Sequence, residues 1–392
     1  MRKSSYHHIV LLLLIMIIGC VQSYDFDPQQ FEKVLVVEGT LSNSPEPHIV
    51  KISYTYTLES GYPQLVSDAS VWLEDQDKTR TDYSEVSRGV YMLPENFAGQ
   101  VGSSYQLFIQ LEDGRSFSST RELLRASPAI DSIYARYVRT IDEDNNEVVQ
   151  GIQFYVDAAG QETESAYLRY KWEDAHKIMV PFPANYELEY GEEDTIIVPI
   201  KQPVGVCYTE ESSNELLYTS TLGTIENRVA EFPVRFVDER ARILKHKYAL
   251  LVRQYAISEE AYLFYKRLQE NNDSGGSLFD QQTGSVFGNI SSNDENGEQV
   301  LGYFQVSGVT DLRRFFSRRD FDRELAYPDF LQACYLDSGI VTTPDSAFYY
   351  LQQTDGLIHD YDFETSTITI HSRRCTDCSY YADVTPPDYW ED

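Results

Sequence analysis

The chain reads as mainly β: an N-terminal antiparallel, immunoglobulin-like sandwich followed by a larger β-rich domain with one or two helices. Three observations predict this. Short alternating apolar runs recur with turn residues every 10 to 15 positions through the first third of the chain. Thirty tyrosines stand against four methionines, a balance that favours pleated, half-exposed surfaces over helical bundles. Hydrophobic residues make up 42% and aromatics 13% of 392 residues, ample for packed cores in two domains.

The elements follow in order. Val34–Gly39 predicts an opening strand with a glycine exit, and His48–Tyr56 alternates Val50, Ile52, Tyr54 and Tyr56. Ala69–Glu74, Gly89–Leu93 and Tyr105–Leu111 continue the pattern, and Asp113-Gly114 turns the chain into a return strand at Arg115–Thr120. These predict a sandwich over residues 30–125 and a second domain over 126–392, opening at Pro128-Ala129-Ile130-Asp131-Ser132-Ile133. There, Ile152–Ala158, Tyr167–Trp172, Val229–Phe236, Lys245–Ala256, Leu301–Val306 and Thr367–His371 read as strands. Asn185–Asp194 reads as an acidic, tyrosine-bearing loop. One helix is signalled near 259–271. Ser258 can cap it, Glu259 and Glu260 suit its positive end, and Tyr262, Phe264, Tyr265 and Leu268 give an apolar face. The tail Thr385-Pro386-Pro387-Asp388-Tyr389-Trp390 is aromatic enough to predict docking.

Residues 1–19 carry a different signal. Arg2 and Lys3 precede the apolar run Ile9–Ile18, which ends in Gly19-Cys20. A basic start, a short apolar stretch and a small residue before the cut define a secretory leader. A transmembrane span would need roughly 20 apolar residues. A cysteine just after the small residue resembles a bacterial lipobox, which predicts Cys20 as the lipidated residue and 20–29 as a tether; the plainer alternative is an ordinary leader with a chance cysteine. Acyl chains bury about 0.8 kcal/mol per methylene, so two or more anchor stably.

Charge and motifs narrow the function. With 32 Lys+Arg against 62 Asp+Glu, the net charge is −30, which speaks against nucleic acid and against adhesion to anionic lipid through protein charge. His48, His176, His246, His359 and His371 are scattered, with no helical zinc-protease spacing, no nucleophile elbow and no phosphate-cradling loop. Asp142–Asn146 starts like a calcium loop but places Glu147 where glycine should turn the chain; it reads as a solvated turn, as does Asn293–Glu298. The reading is therefore non-enzymatic, with no metal and no cofactor. A hydrolase using an unrecognised carboxylate pair and a stand-alone glycan- or peptide-binding protein stay open. Trp72, Trp172 and Trp390 could stack on sugar rings, though core packing accounts for them more simply.

Beyond Cys20, the cysteines are Cys207, Cys334, Cys375 and Cys378. An even number in an exported chain favours disulfides. A bridge within Cys375-Thr376-Asp377-Cys378 closes too small a loop to restrict the unfolded chain much, so Cys207 and Cys334 are each expected to reach one member of that pair. Which takes which is open, and a zinc site or a redox Cys-x-x-C remain as alternatives.

Several phrases together carry a resemblance. Leu35-Val36-Val37-Glu38-Gly39 follows the lipobox and Ile130-Asp131-Ser132-Ile133 follows a proline. Glu260–Lys266 precedes Leu278-Phe279-Asp280, Gly288-Asn289-Ile290 and Val300-Leu301-Gly302-Tyr303-Phe304, and the end carries Cys375–Cys378 and Pro387–Trp390. This set resembles the domain-of-unknown-function family 4249 of Bacteroidota lipoproteins, most specifically from Gly-Asn-Ile to Leu-Gly-Tyr-Phe. The resemblance implies an outer-membrane lipoprotein encoded near TonB-dependent receptors, with no established enzymatic activity. It thus implies a TonB-dependent receptor barrel as partner and a lipid anchor in the outer membrane. Asp25 and Asp27 loosely fit a surface-export signal while Val21 and Tyr24 depart from it, so the periplasmic and the surface face both stay open.

Overall fold

The computed structural model describes residues 33–56, 61–142, 146–159, 167–190, 195–224, 227–273, 286–294, 297–321, 329–336 and 339–391. Cys20 and the expected leader (1–19) and tether (20–29) lie outside these residues.

The molecule is mainly β and is organised around one long strand, Val300–Phe316, in the middle of a ten-stranded sheet. Its first half pairs in parallel with the opening strand Leu35–Ser42, from Leu35 opposite Val300 to Ser42 opposite Ser307. Its second half pairs antiparallel with Tyr248–Ala256, from Gly308 opposite Ala256 to Phe316 opposite Tyr248. Ile49–Tyr54, Val90–Met92 and Ser84–Ser87 extend the sheet beyond the opening strand, and Tyr167–Met179 and Val206–Ser212 extend it beyond Tyr248–Ala256.

Each half of this sheet is covered by a second sheet, giving two cores. The six-stranded sheet built around Ser70–Glu74, Ser104–Gln110 and Ser116–Ser119 covers the first half. Leu35, Val37 and Ile52 there meet Leu73, Leu107 and Phe117. The hairpin Ile130–Asp142 and Glu147–Ala159, with Arg228–Asp238 beside it, covers the second half. There Phe154 packs on Tyr248 and Phe316 at centroid separations of 5.2 and 5.0 Å.

The expected cut at residues 125/126 divides the chain but not the packing. Ile290, Val300, Phe304 and Val306 belong to the first core, because a parallel partner for the opening strand can only come from a remote part of the chain. The segment at the cut is pinned rather than free. Gln254 Nε2 and Thr310 Oγ1 both donate to the Pro128 carbonyl at 2.7 Å, and Tyr170 Oη donates to Gln254 Oε1 at 2.8 Å.

The helix spans Glu259–Asp273, and the Ala261 amide donates to the Ser258 hydroxyl that caps it. Within the expected loop Asn185–Asp194, whose residues 191–194 lie outside those described, Tyr186–Tyr190 corrects the sequence reading: it is a strand paired with Thr195–Pro199. Its alternating Tyr and Glu have the period of a strand, and the density of charge masked it. Two further helices, Asp329–Leu336 and Pro344–Gln353, and the strands Leu357–Asp362, Thr367–His371 and Ile340–Thr342 form a C-terminal module on the same sheet as that hairpin.

Candidate functional site

The glycines of the most family-specific stretch have a structural job. Gly302 adopts φ +98°, and a Cβ there would stand 2.0 Å from the Val37 carbonyl oxygen. A Cβ on Gly288 would stand 1.7 Å from the Gly302 carbonyl oxygen. Backbones therefore approach in a way only glycine permits. Asn289 completes the joint: Phe304 N donates to its Oδ1 at 2.9 Å, and its Nδ2 donates to Phe304 O at 3.0 Å. The same Nδ2 reaches Glu122 Oε1 at 3.1 Å, which also accepts from Tyr303 Oη at 3.0 Å. This stretch holds the first core together and offers no reactive group.

The cysteines converge at one end of the large sheet. Cys207 bonds Cys378 and Cys334 bonds Cys375, with Cα separations of 5.8 and 5.7 Å. All four are buried. Cys207–Cys378 ties the C-terminal region to the edge strand Val206–Ser212, and Cys334–Cys375 joins the helix Asp329–Leu336 to the segment after Thr367–His371. Backbone bonds from Phe182 N to Cys375 O and from Cys378 N to Val204 O, both 3.1 Å, back them. Around them Phe182 stacks on His371 at 4.0 Å, and His359 Nδ1 lies 2.7 Å from the Pro183 carbonyl.

The tail docks over the same edge. Tyr208 and Asp383 exchange backbone hydrogen bonds of 2.7 and 2.9 Å. Tyr389 Oη donates to Glu210 at 2.8 Å, and its ring lies under the Arg313 guanidinium. Trp390 wedges edge-on between Tyr208 and Phe315. Residues 382–389 thus lie along Tyr208–Glu210 and line with them an open cleft of about 600 Å³. Burial, with the bond to Glu210, pushes the Tyr389 hydroxyl up to about 12.

Behind that strand lies a buried polar cluster that the sequence did not single out. Asp174 accepts from Tyr248 Oη at 2.9 Å and lies 3.3 Å from Arg235 Nε, while its Oδ1 has no partner. Burial raises the Asp174 carboxyl to about 6 despite Arg235. His176, two residues on, has neither ring nitrogen hydrogen-bonded. Burial, then the charges of Arg242 and Arg235, lower it to about 4. The Arg235 guanidinium covers the Trp172 ring at 4.0 Å. Alternation at Asp174, Ala175 and His176 was the available signal, but nothing local says which face of a two-sided strand is dry.

Among the described residues no group of three or more His, Cys, Asp or Glu could hold a metal ion, and no helix is long and apolar enough to cross a membrane. Trp72 stacks on Phe108, and Trp172 is buried against the second core. What the fold defines is a mainly β protein organised around one ten-stranded sheet, with two disulfides at one end of that sheet. The chain belongs to the family described as domain of unknown function (DUF4249), whose profile matches residues 21–313. That match takes in Cys207 and ends before Cys334, Cys375 and Cys378. No curated protein matches the chain.

Proposed function

We propose that the protein is a lipid-anchored, non-enzymatic accessory of the outer membrane that works beside a TonB-dependent transporter in nutrient uptake. The observation that carries the reading is the opposition of two ends. The chain enters the body at Val34, beside Leu35 and Val300. The disulfide-tied module sits beyond Phe316, at the level where Ile178 faces Cys207. Seventeen residues of strand separate these ends, roughly 55 Å at a strand's rise per residue. The far module exposes large apolar side chains, Leu336 at 85% and Phe363 at 72%, with Tyr335, Val341 and Tyr349 nearby in sequence. A body held by a lipid on Cys20 would carry these away from the bilayer towards a partner, and exposed aromatic surface of this kind suits protein contact. The two disulfides suit an oxidising compartment.

The test is copurification of the full lipoprotein from detergent-solubilised outer membrane. The reading expects an integral barrel to come with it, and a Val341→Asp, Tyr349→Asp variant to lose that barrel while staying lipidated. Recovery of the lipoprotein alone would sink the transporter role. A second reading, stand-alone binding of a small ligand, draws on the cleft beneath the tail, and glycan-array binding without any partner would favour it.

A further inference from the structure

The outer face of the central sheet, opposite the second core, carries a group of cations that the partnership above does not use. Leu168, Tyr170 and Trp172 point into the core, so Arg169, Lys171 and Glu173 point away from it. Lys171 stands directly opposite Arg253 in the antiparallel pair. Like charges in that position repel, and this chain, at −30, is short of cations to spend in one place.

The counter-charges are unevenly shared. Glu46 and Glu173 both pair with Arg253, the latter at 3.5 Å. Asp311, opposite Arg253 on its other side, is exposed. Arg169 instead donates to the amide oxygen of Gln305 at 3.1 Å and lies over the Tyr265 ring at 4.6 Å. Neither Arg169 nor Lys171 makes an ion pair among the described residues. The Nε atoms of Arg169 and Arg253 are buried with no hydrogen-bond partner. Yet the group opens to solvent, since the Arg253 and Glu46 side chains keep 28% and 25% exposure and Lys171 is half-buried. Partial burial, then the Arg169 and Arg253 guanidiniums, lower the Lys171 ammonium, although Glu46 and Glu173 nearby act to raise it.

We propose that Arg169, Lys171 and Arg253 form a binding site for a small oxyanion, a carboxylate or a phosphate, seated against the sheet between the Glu46 loop and the capped helix. An oxyanion there would supply the charge that Arg169 and Lys171 lack and accept from donors that now have none. Charge-assisted bonds of this kind are the strong ones. The site is independent of the membrane partnership: copurification of a barrel could fail and the site still bind.

The test is isothermal titration and thermal melting of the full chain in detergent, at constant ionic strength, with chloride replaced by succinate in one arm and inorganic phosphate in another. Whichever oxyanion binds names the source. The expected result is saturable binding that raises the melting temperature. Lys171→Met should weaken it by about tenfold or more, and Lys171→Arg should retain it. Without oxyanion, Lys171→Met should melt at or above the parent temperature, because it removes a repulsion. A Lys171 that merely braces the sheet would instead lower the melting temperature on substitution and leave oxyanion binding unchanged. No binding of either oxyanion, or equal binding by Lys171→Met, overturns the proposal. Lys171→Gln serves the same comparison if the Met variant does not fold.

Discussion

His176 should make this protein acid-sensitive by a calculable amount. Both ring nitrogens are buried without partners, and Arg242 and Arg235 oppose a third positive charge beside them. The imidazole titrates near 4 in the fold against 6.5 for an ordinary histidine. Below 6.5 the unfolded chain therefore binds a proton that the folded chain refuses, and stability falls as pH drops through that window. At about 1.4 kcal/mol per pH unit, the loss attributable to His176 between pH 7 and pH 5 is about 2 kcal/mol. Asp174 works the other way. Its carboxyl titrates near 6 when folded, so acidification over the same range returns about 1 kcal/mol. The comparison that isolates the histidine is His176→Leu. The substitution strands no donor or acceptor partner, so at pH 7 it should be close to neutral. Between pH 7 and pH 5 it should lose about 2 kcal/mol less than the parent chain. Urea unfolding at both pH values, with the disulfides intact, measures this directly. If the variant and the parent lose equal stability on acidification, His176 is not the buried neutral group described here.

Further outcomes follow from the same structure. Gly302→Ala forces a Cβ into the Val37 carbonyl at a left-handed backbone angle, and should cost roughly 2 to 4 kcal/mol in denaturant unfolding; a neutral result would mean the opening strand is not held as described. Asn289→Ala strips the paired bonds to Phe304 and one to Glu122, so a loss of about 2 to 3 kcal/mol is expected, seen as a lower urea midpoint. Replacing Cys334 and Cys375 by alanine opens a 41-residue separation, and replacing Cys207 and Cys378 one of 171. Loop entropy predicts losses of about 4 and about 5 kcal/mol respectively. Non-reducing peptide mapping checks the pairing first, and Cys207 linked to Cys375 would contradict the fold of this end.

Much of the strand content could be read locally. Ile49–Tyr54, Ser104–Gln110 and Thr367–His371 lie within a residue or two of the alternating runs that announce them, because one-sided burial writes period two into the chain. The helix at Glu259 was legible from its serine cap and acidic first turn for the same local reason. Ile130–Asp142 was legible only at its start and Val206–Ser212 not at all, since both depend on partners far away. The acidic hairpin at Tyr186 was hidden because charged residues on an exposed strand look like a loop.

Sequence alone determined the mainly β class, the family and the clustering of cysteines towards the C-terminus, since each rests on composition, spacing or a contiguous motif. Tertiary structure decided the rest. It gave the first core its partner strand from beyond residue 300, fixed which cysteine meets which, and set Lys171 against Arg253. Those outcomes turn on which strand lies beside which. Pairing energy comes from backbone bonds common to all residues, so register and neighbour are chosen by the whole packed core, not by any local run.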